Sequence, residues 1–218
     1  GYFMLKKSML SVFLIICISL CTLPIFASSP SESLREITQK GTLIESETVS
    51  NKNGTFRKDV YSYTKLLSST RSNEQEYETT TSLIITPVNS LSSKGDFVVE
   101  NNAHDALHLK IRYVTRAYAD DYSDMTGYRL TRVIVNNQSS DIKTGLLSAM
   151  NHSAKFGFDS KEYDLSGMNA PYTVTKYPNF SNYVAKVLTA QVGAQLDYDW
   201  VSGGESNTLK AFIVNNPA

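Results

Sequence analysis

Long stretches in which apolar and polar residues alternate constrain the fold of this chain more than any other feature. Apolar residues occupy every second position over 107–113 and again over 192–200. Because successive side chains of a strand point to opposite faces, this spacing predicts strands that each bury one face. The tracts 56–67 and 76–86 are rich in β-branched and aromatic residues, which also favours strands, and the polar link 69–74 suits a hairpin loop between them.

The remaining segments add turns and little helix. Only residues 31–40 have helical character near the start, with Gly41 placed to end the helix. A Ser-rich turn is predicted over 89–95, followed by a short strand over 97–99. The sequence shows no repeat and no linker. It therefore predicts a single all-β domain over residues 28–218, an antiparallel β-sandwich or barrel-like fold with at most one short N-terminal helix.

Three segments carry more detailed predictions. The tract 128–135 is predicted to be a strand with one face formed by Tyr128, Leu130, Arg132 and Ile134. Residues 141–158 have apolar residues at helical spacing, but Gly145 weakens a helix, so an irregular strand is favoured. Residues 182–200 and 208–214 are predicted to be two closing strands, joined by a Gly-rich turn.

The amino end has the organisation of an export signal. A short basic segment with Lys6 and Lys7 precedes an apolar run over 9–26, and small residues follow at Ala27 and Ser28. This order predicts a signal peptide over 1–27 that is cleaved between Ala27 and Ser28, giving a secreted, extracellular protein. Residues 1–3 precede a natural-looking start at Met4 and are interpreted as an upstream or non-native extension. The alternative is an uncleaved membrane anchor through residues 9–26.

Loss of this leader would leave a chain without cysteine. Both cysteines, Cys17 and Cys21, lie within it, and the residues before them are too large for a lipoprotein signal. Exported proteins without disulfides are common in Gram-positive bacteria. Removal of Lys6 and Lys7 also leaves nineteen basic residues against 21 acidic ones. Such a chain has no electrostatic reason to bind nucleic acid, and membrane contact is expected only through an uncleaved leader.

Four short tracts in the second half of the chain occur in a recognisable order. They are Tyr128-Arg-Leu-Thr-Arg-Val, Lys155-Phe-Gly, Val192-Gly-Ala and Val214-Asn-Asn-Pro. This order resembles small, cysteine-poor, secreted Firmicutes proteins of uncharacterised function, whose typical members have a Trp-rich tail where this chain has only Trp200. The resemblance implies secretion and a β fold, and it implies no activity.

Histidine and aspartate residues suggest three weak sites. His104 and His108 have the spacing of a helical zinc pair, but a strand would place them about 13 Å apart. The third histidine, His152, has no motif around it. Asp120, Asp121 and Asp124 share a predicted hairpin loop that could offer oxygens to Ca²⁺, although their spacing is not that of an EF-hand. We therefore predict no metal and no cofactor.

Asp197 and Asp199 would share one sheet face. Paired carboxylates can carry out glycoside hydrolysis, so an extracellular hydrolase is one alternative for the function. Alternate acids on a solvent-exposed face have the same sequence pattern, and no catalytic residue is assigned.

Tyrosine is the most abundant aromatic residue, with thirteen in the chain. Tyrosines in loops give contact area at low entropic cost and suit recognition of proteins or sugars. The sequence thus predicts a non-catalytic binding module that uses the loops around Tyr118, Asp121, Tyr122, Tyr172 and Tyr177. Its partner would be an extracellular protein or carbohydrate. A structural component of the envelope or spore surface is a further alternative.

Overall fold

The structure is a computed structural model that describes residues 36–69, 74–88, 104–117 and 125–214. These residues belong to one compact unit, residues 33–218. The expected leader with its cleavage site at Ala27 and Ser28 lies outside the described residues, as do the predicted turn 89–95 and strand 97–99. No helix in the described ranges is both long and apolar enough to cross a membrane.

A short helix and eleven strands make up the described chain. The helix, α1, covers residues 36–40 and ends as predicted at Gly41, whose amide donates to the Ile37 carbonyl oxygen at 2.7 Å. A Cβ at position 41 would lie 2.3 Å from that oxygen, which explains the glycine. The strands are β1 (Thr42–Asn51), β2 (Gly54–Ser69), β3 (Gln75–Pro87), β4 (Asp105–Ala117), β5 (Thr126–Asn137), β6 (Ile142–Ser153), β7 (Gly157–Asp164), β8 (Tyr172–Lys176), β9 (Val184–Ala185), β10 (Gln191–Trp200) and β11 (Glu205–Val214).

Two antiparallel sheets confirm the predicted β-sandwich. The seven-stranded sheet has the order β1-β2-β3-β4-β5-β8, with β9 also pairing with β5, and the four-stranded sheet has the order β11-β10-β6-β7. Within the described strands the sheets stay separate and do not close into a barrel.

The hydrophobic core lies between the sheets, and the two long alternations form much of it. Leu107, Leu109 and Ile111 of β4 are fully buried, and so are Leu196 and Trp200 of β10. The predicted inner faces of these strands are therefore correct. The opposite face of β4 is not simply solvated, because His108 on that face is also buried.

The predicted face of β5 is wrong because the strand contains a bulge. Tyr113 pairs with Leu130 and Arg112 pairs with Arg132, so Thr131 is an extra residue without a partner on β4. Beyond the bulge the alternation shifts by one residue, and the inner face continues through Val133 instead of Ile134. One inserted residue is enough to exchange the two faces of a strand.

Three other segments show what the pattern could and could not predict. Residues 141–158 form β6 and the start of β7, which confirms the strand interpretation. The predicted strand over 182–200 is interrupted, because β9 and β10 are separated by a turn near Leu188. The edge strand β1 was not predicted, since nearly all of its side chains are exposed on both faces and leave no alternation to detect.

Candidate functional site

The structure places two of the five predicted binding residues. Tyr118, Asp121 and Tyr122 lie outside the described residues, together with Asp120 and Asp124, in the segment that connects β4 to β5. Tyr172 and Tyr177 are described and have different environments.

Tyr172 is a packing residue of β8. Its half-buried ring contacts the core, and its hydroxyl lies 2.5 Å from the Thr144 Oγ1 of the facing sheet. Burial raises the pKa of Tyr172, although the Thr144 hydrogen bond opposes this rise. Tyr177, by contrast, is 53% exposed. Of these two tyrosines, only Tyr177 offers its ring to a partner.

Arginines gather on the outer face of β4 and β5 beside Tyr177. Arg112 and Arg132 are cross-strand partners, and Arg116 points to the same side as Arg112 because it lies four residues along β4. Arg129 and Arg132 are three residues apart, so a regular strand would place them on opposite faces. The bulge at Thr131 brings both to the outer face, which is how bulges redirect side chains at functional sites.

Two of these arginines lie over one tyrosine. The guanidinium carbon of Arg116 is 3.8 Å from the centre of the Tyr183 ring, and that of Arg129 is 4.9 Å from it. The Tyr183 hydroxyl donates to Glu74 at 2.6 Å. Burial and Glu74 raise the pKa of Tyr183, while Arg129 acts in the opposite direction. The phenol therefore stays protonated and holds its ring in place under the two cations.

Arg132 forms a similar pair with Tyr177, at 5.0 Å from the ring centre. We call Arg116, Arg129, Arg132, Tyr177 and Tyr183 the arginine–tyrosine surface. Among the described residues, none of its arginines has a carboxylate within ion-pair distance. The carboxyl group of Glu74, which accepts a hydrogen bond from the Tyr183 hydroxyl, lies in the same cluster, so the described part of the protein sets one carboxylate beside three guanidinium groups.

The neighbouring Arg112, unlike these three arginines, forms an ion pair with a carboxylate. Its Nε donates to Glu78 at 2.6 Å, and Lys65 lies 3.3 Å from the same carboxyl group. Burial opposes the charge of Glu78, but Arg112 and Lys65 hold the pKa of this carboxyl below its usual value. Arg112 is thus a structural ion-pair partner and is not part of the arginine–tyrosine surface.

A guanidinium group over an aromatic ring keeps N–H groups at its edge for a ligand. Arginine binds carboxylate, phosphate and sulfate groups through paired N–H donors of this kind. Arg129 makes long 3.4 Å contacts with the Phe180 carbonyl and the Tyr183 hydroxyl, whereas no side-chain hydrogen bond to another described residue involves Arg116 or Arg132. The geometry suits a ligand that carries several anionic groups.

The alternative acidic site also has a defined geometry. Asp197 and Asp199 line one open cleft of about 530 Å³ on the outer face of the four-stranded sheet. Thr208 donates a hydrogen bond to Asp197 at 2.8 Å, and Ser206 donates one to Asp199 at 2.5 Å. Each of the two carboxyl groups is thus tied by a hydrogen bond to a hydroxyl group of the neighbouring strand β11.

The three histidines do not form one cluster. His108 is buried on the outer face of β4, where its Nδ1 lies 2.7 Å from the Ser82 hydroxyl. His152 lies on the other sheet and contacts Gln191 at 3.0 Å. In the part of the chain that the structure describes, no group of three or more His, Cys, Asp or Glu side chains could hold a metal ion.

Comparison with other proteins gives no family. No protein-family model matches the sequence, and no curated protein or solved structure matches it significantly.

Sequence reasoning missed four of the five residues of the arginine–tyrosine surface. The signal available was the presence of Arg116, Arg129 and Arg132 on the two strands of one predicted hairpin, on either side of its loop. Without the bulge at Thr131, Arg129 and Arg132 would be assigned to opposite faces and would not form a cluster.

Proposed function

We propose that this protein is a secreted, non-catalytic binding module of a Gram-positive bacterium, and that it contacts an extracellular partner through the arginine–tyrosine surface. The observation that carries the proposal is the set of three arginines that lie over or beside two tyrosines with no carboxylate partner among the described residues. Unpaired guanidinium groups on a surface are suited to recognise anionic groups of a partner.

Arg116 of the surface precedes, by two positions in the sequence, the segment that the sequence favoured for binding. Residues 118–124, with Tyr118, Asp121 and Tyr122, connect strands β4 and β5 next to Arg116. Tyr177 belongs both to that predicted set and to the surface. The proposed binding region therefore combines the arginine–tyrosine surface with this connecting segment.

A binding assay with a charge-matched control tests the proposal. The probes are polygalacturonate as an anionic carbohydrate, polyglutamate as an anionic polypeptide, and purified cell walls of the native host. The Arg116→Gln/Arg132→Gln double variant is expected to bind the recognised probe about tenfold more weakly. Lys52→Gln/Lys161→Gln removes the same charge from exposed positions elsewhere and should leave binding unchanged.

Two results would contradict this assignment. Equal losses in both double variants would show that net charge alone drives binding, and an unchanged affinity in the arginine variant would place the site elsewhere. Tyr177→Ala, compared with Phe158→Ala on the other sheet, separates the contribution of the ring from that of the charges.

The leader requires its own measurement. Intact-mass analysis of protein recovered from culture medium, wall and membrane should find a species that begins at Ser28 in the medium. An uncleaved species in the membrane would instead make residues 9–26 an anchor and the sandwich a tethered surface module.

A hydrolase is the second candidate, because Asp197 and Asp199 do share one cleft. Asp197→Asn and Asp199→Asn should abolish any hydrolysis of extracellular polysaccharides if this cleft is catalytic. The binding proposal expects both variants to keep full affinity for the probe that the arginines recognise.

A further inference from the structure

The strand β1 leaves one edge of the seven-stranded sheet open. Its full length pairs with β2, and no described strand pairs with its other side. Residues 42–48 are all exposed. An edge of this kind presents a row of backbone N–H and C=O groups that can hydrogen-bond to another extended chain.

The edge has few of the features that usually block strand addition. Its sequence, TLIESETVSN, contains no proline and no lysine. The only irregularity lies between Leu43 and Glu45, and from Glu45 to Asn51 the strand pairs residue by residue with β2. Leu43 and Ile44 expose 48% and 57% of their surface at the start of the strand. Seven regular residues and two apolar side chains are therefore open to a partner.

A small cleft beside the edge has an excess of negative charge. It measures about 210 Å³ and lies between β1 and β11, with Ile44, Val60 and Leu209 among its apolar walls. Glu45 and Glu47 also line it. Lys58 is only 5% exposed and contacts Glu47 at 2.5 Å and Glu205 at 2.9 Å. Lys210 also lines the cleft, so Lys58 and Lys210 together face three carboxylates and one negative charge is in excess. Glu45 has no ion-pair partner among the described residues, which favours an additional cation beside it.

The same charges argue against pairing between two copies of the chain. Antiparallel pairing of β1 with itself would bring Glu45 and Glu47 of both copies together, and like charges across strands are destabilising. Basic side chains at alternate positions of a foreign strand would instead point toward these glutamates.

We propose that the open edge of β1 accepts an extended segment of a partner protein that carries lysine or arginine at alternate positions. The segment adds a strand to the sheet, its basic side chains face Glu45 and Glu47, and its apolar side chains point to the other face, beside Leu43. Backbone hydrogen bonds supply affinity and the alternate side chains supply specificity, as in other complexes formed by strand addition. This site is separate from the arginine–tyrosine surface, whose ligand has the opposite charge.

Two synthetic peptides test the proposal on the full chain. One alternates lysine and valine over ten residues, and the other alternates glutamate and valine. We expect the lysine peptide to bind at least about tenfold more tightly by calorimetry. Amide hydrogen exchange should slow within residues 42–51 and remain unchanged in β7, an edge strand of the four-stranded sheet.

Charge variants complete the experiment. Glu45→Lys should remove the preference for the lysine peptide without loss of folding, because Glu45 makes no side-chain hydrogen bond or ion pair within the described structure. Glu162→Lys on β7 is the matched control and should keep the preference. Equal affinity for both peptides, no binding, protection outside 42–51, or self-association protecting 42–51 in the free protein would each overturn the proposal.

Discussion

At the scale of single residues, His108 has the most unusual environment among the described side chains. It is almost fully buried, its Nδ1 contacts the Ser82 hydroxyl, and its Nε2 has no described partner. Burial lowers the pKa of His108 to about 3, and the nearby charges of Lys110 and His104 act in the same direction. The folded protein therefore holds this imidazole neutral throughout the physiological range.

This residue should make stability depend on pH in a defined window. Below about pH 6.5 the unfolded chain binds a proton at His108 that the folded chain does not bind until about pH 3. The free energy of unfolding should therefore fall as the pH falls through this window, by at most about 1.4 kcal/mol per pH unit. Urea unfolding at pH values from 7 to 4 measures the slope. His108→Gln should reduce it, and the control His152→Gln should not; an equal slope in all three proteins would refute the role of His108.

At the scale of elements, the bulge in β5 depends on a side chain of the facing sheet. The Oδ1 of Asn151 on β6 accepts a hydrogen bond from the Leu130 amide at 3.1 Å, and its Nδ2 donates to the Asn182 carbonyl oxygen at 2.7 Å. Asn151 is fully buried. It thus satisfies backbone groups beside the bulge and in the segment before Tyr183, the two places that position the arginine–tyrosine surface.

Replacement of Asn151 should be costly for this reason. Asn151→Ala leaves the buried Leu130 N–H and the Asn182 carbonyl oxygen without their side-chain partner, which should lower the free energy of unfolding by about 1–3 kcal/mol. Asn169→Ala is the control, because Asn169 is exposed, and its effect should stay within about 0.5 kcal/mol. Urea unfolding measures the free energy of unfolding of both variants. Similar losses in the two would show that Asn151 does not support the bulge.

The same bulge marks the limit of prediction from sequence. Strands β4 and β10 were predictable because one face of each is buried and the alternation is uninterrupted. No residue type marks Thr131 as inserted, so a pattern of period two continues through it and gives the wrong face. Such an error leaves the predicted fold class correct, but it assigns Arg129 and Arg132 to opposite faces, so their clustering is not predicted. The edge strand β1 could not be predicted because almost none of its side chains is buried, so its sequence shows no alternation.

At the scale of the whole molecule, the two proposed surfaces lie toward opposite edges of one sheet. β1 begins the strand order, whereas β5 and β8 end it. Four steps between neighbouring strands separate β1 from β5, about 19 Å at the usual strand spacing. An anion-binding surface and a cation-binding edge on one sheet could hold two partners of opposite charge at once, provided that the sheet behaves as one rigid body.

Contacts between the two sheets should make the sandwich behave as one rigid body. Asn51 and Asn53 both donate from Nδ2 to the Ser202 carbonyl oxygen, at 3.1 and 2.9 Å, and thereby link the β1–β2 turn to the β10–β11 turn. Phe56 of β2 lies edge-on to Trp200 of β10, with 5.0 Å between the ring centres. Both sheets contribute to a single core cluster.

These contacts predict a single cooperative transition. Trp200 is the only tryptophan and is fully buried, so its emission reports the sheet interface, while far-UV circular dichroism reports the strands. The two urea midpoints should coincide. Phe56→Ala should lower both midpoints together, by about 2–4 kcal/mol in the free energy of unfolding. The control Phe158→Ala removes a ring that is 69% exposed and should leave both midpoints in place. A tryptophan transition that precedes the loss of strand signal would mean that the sheets separate before they unfold, and a bridge between two partners could not be rigid.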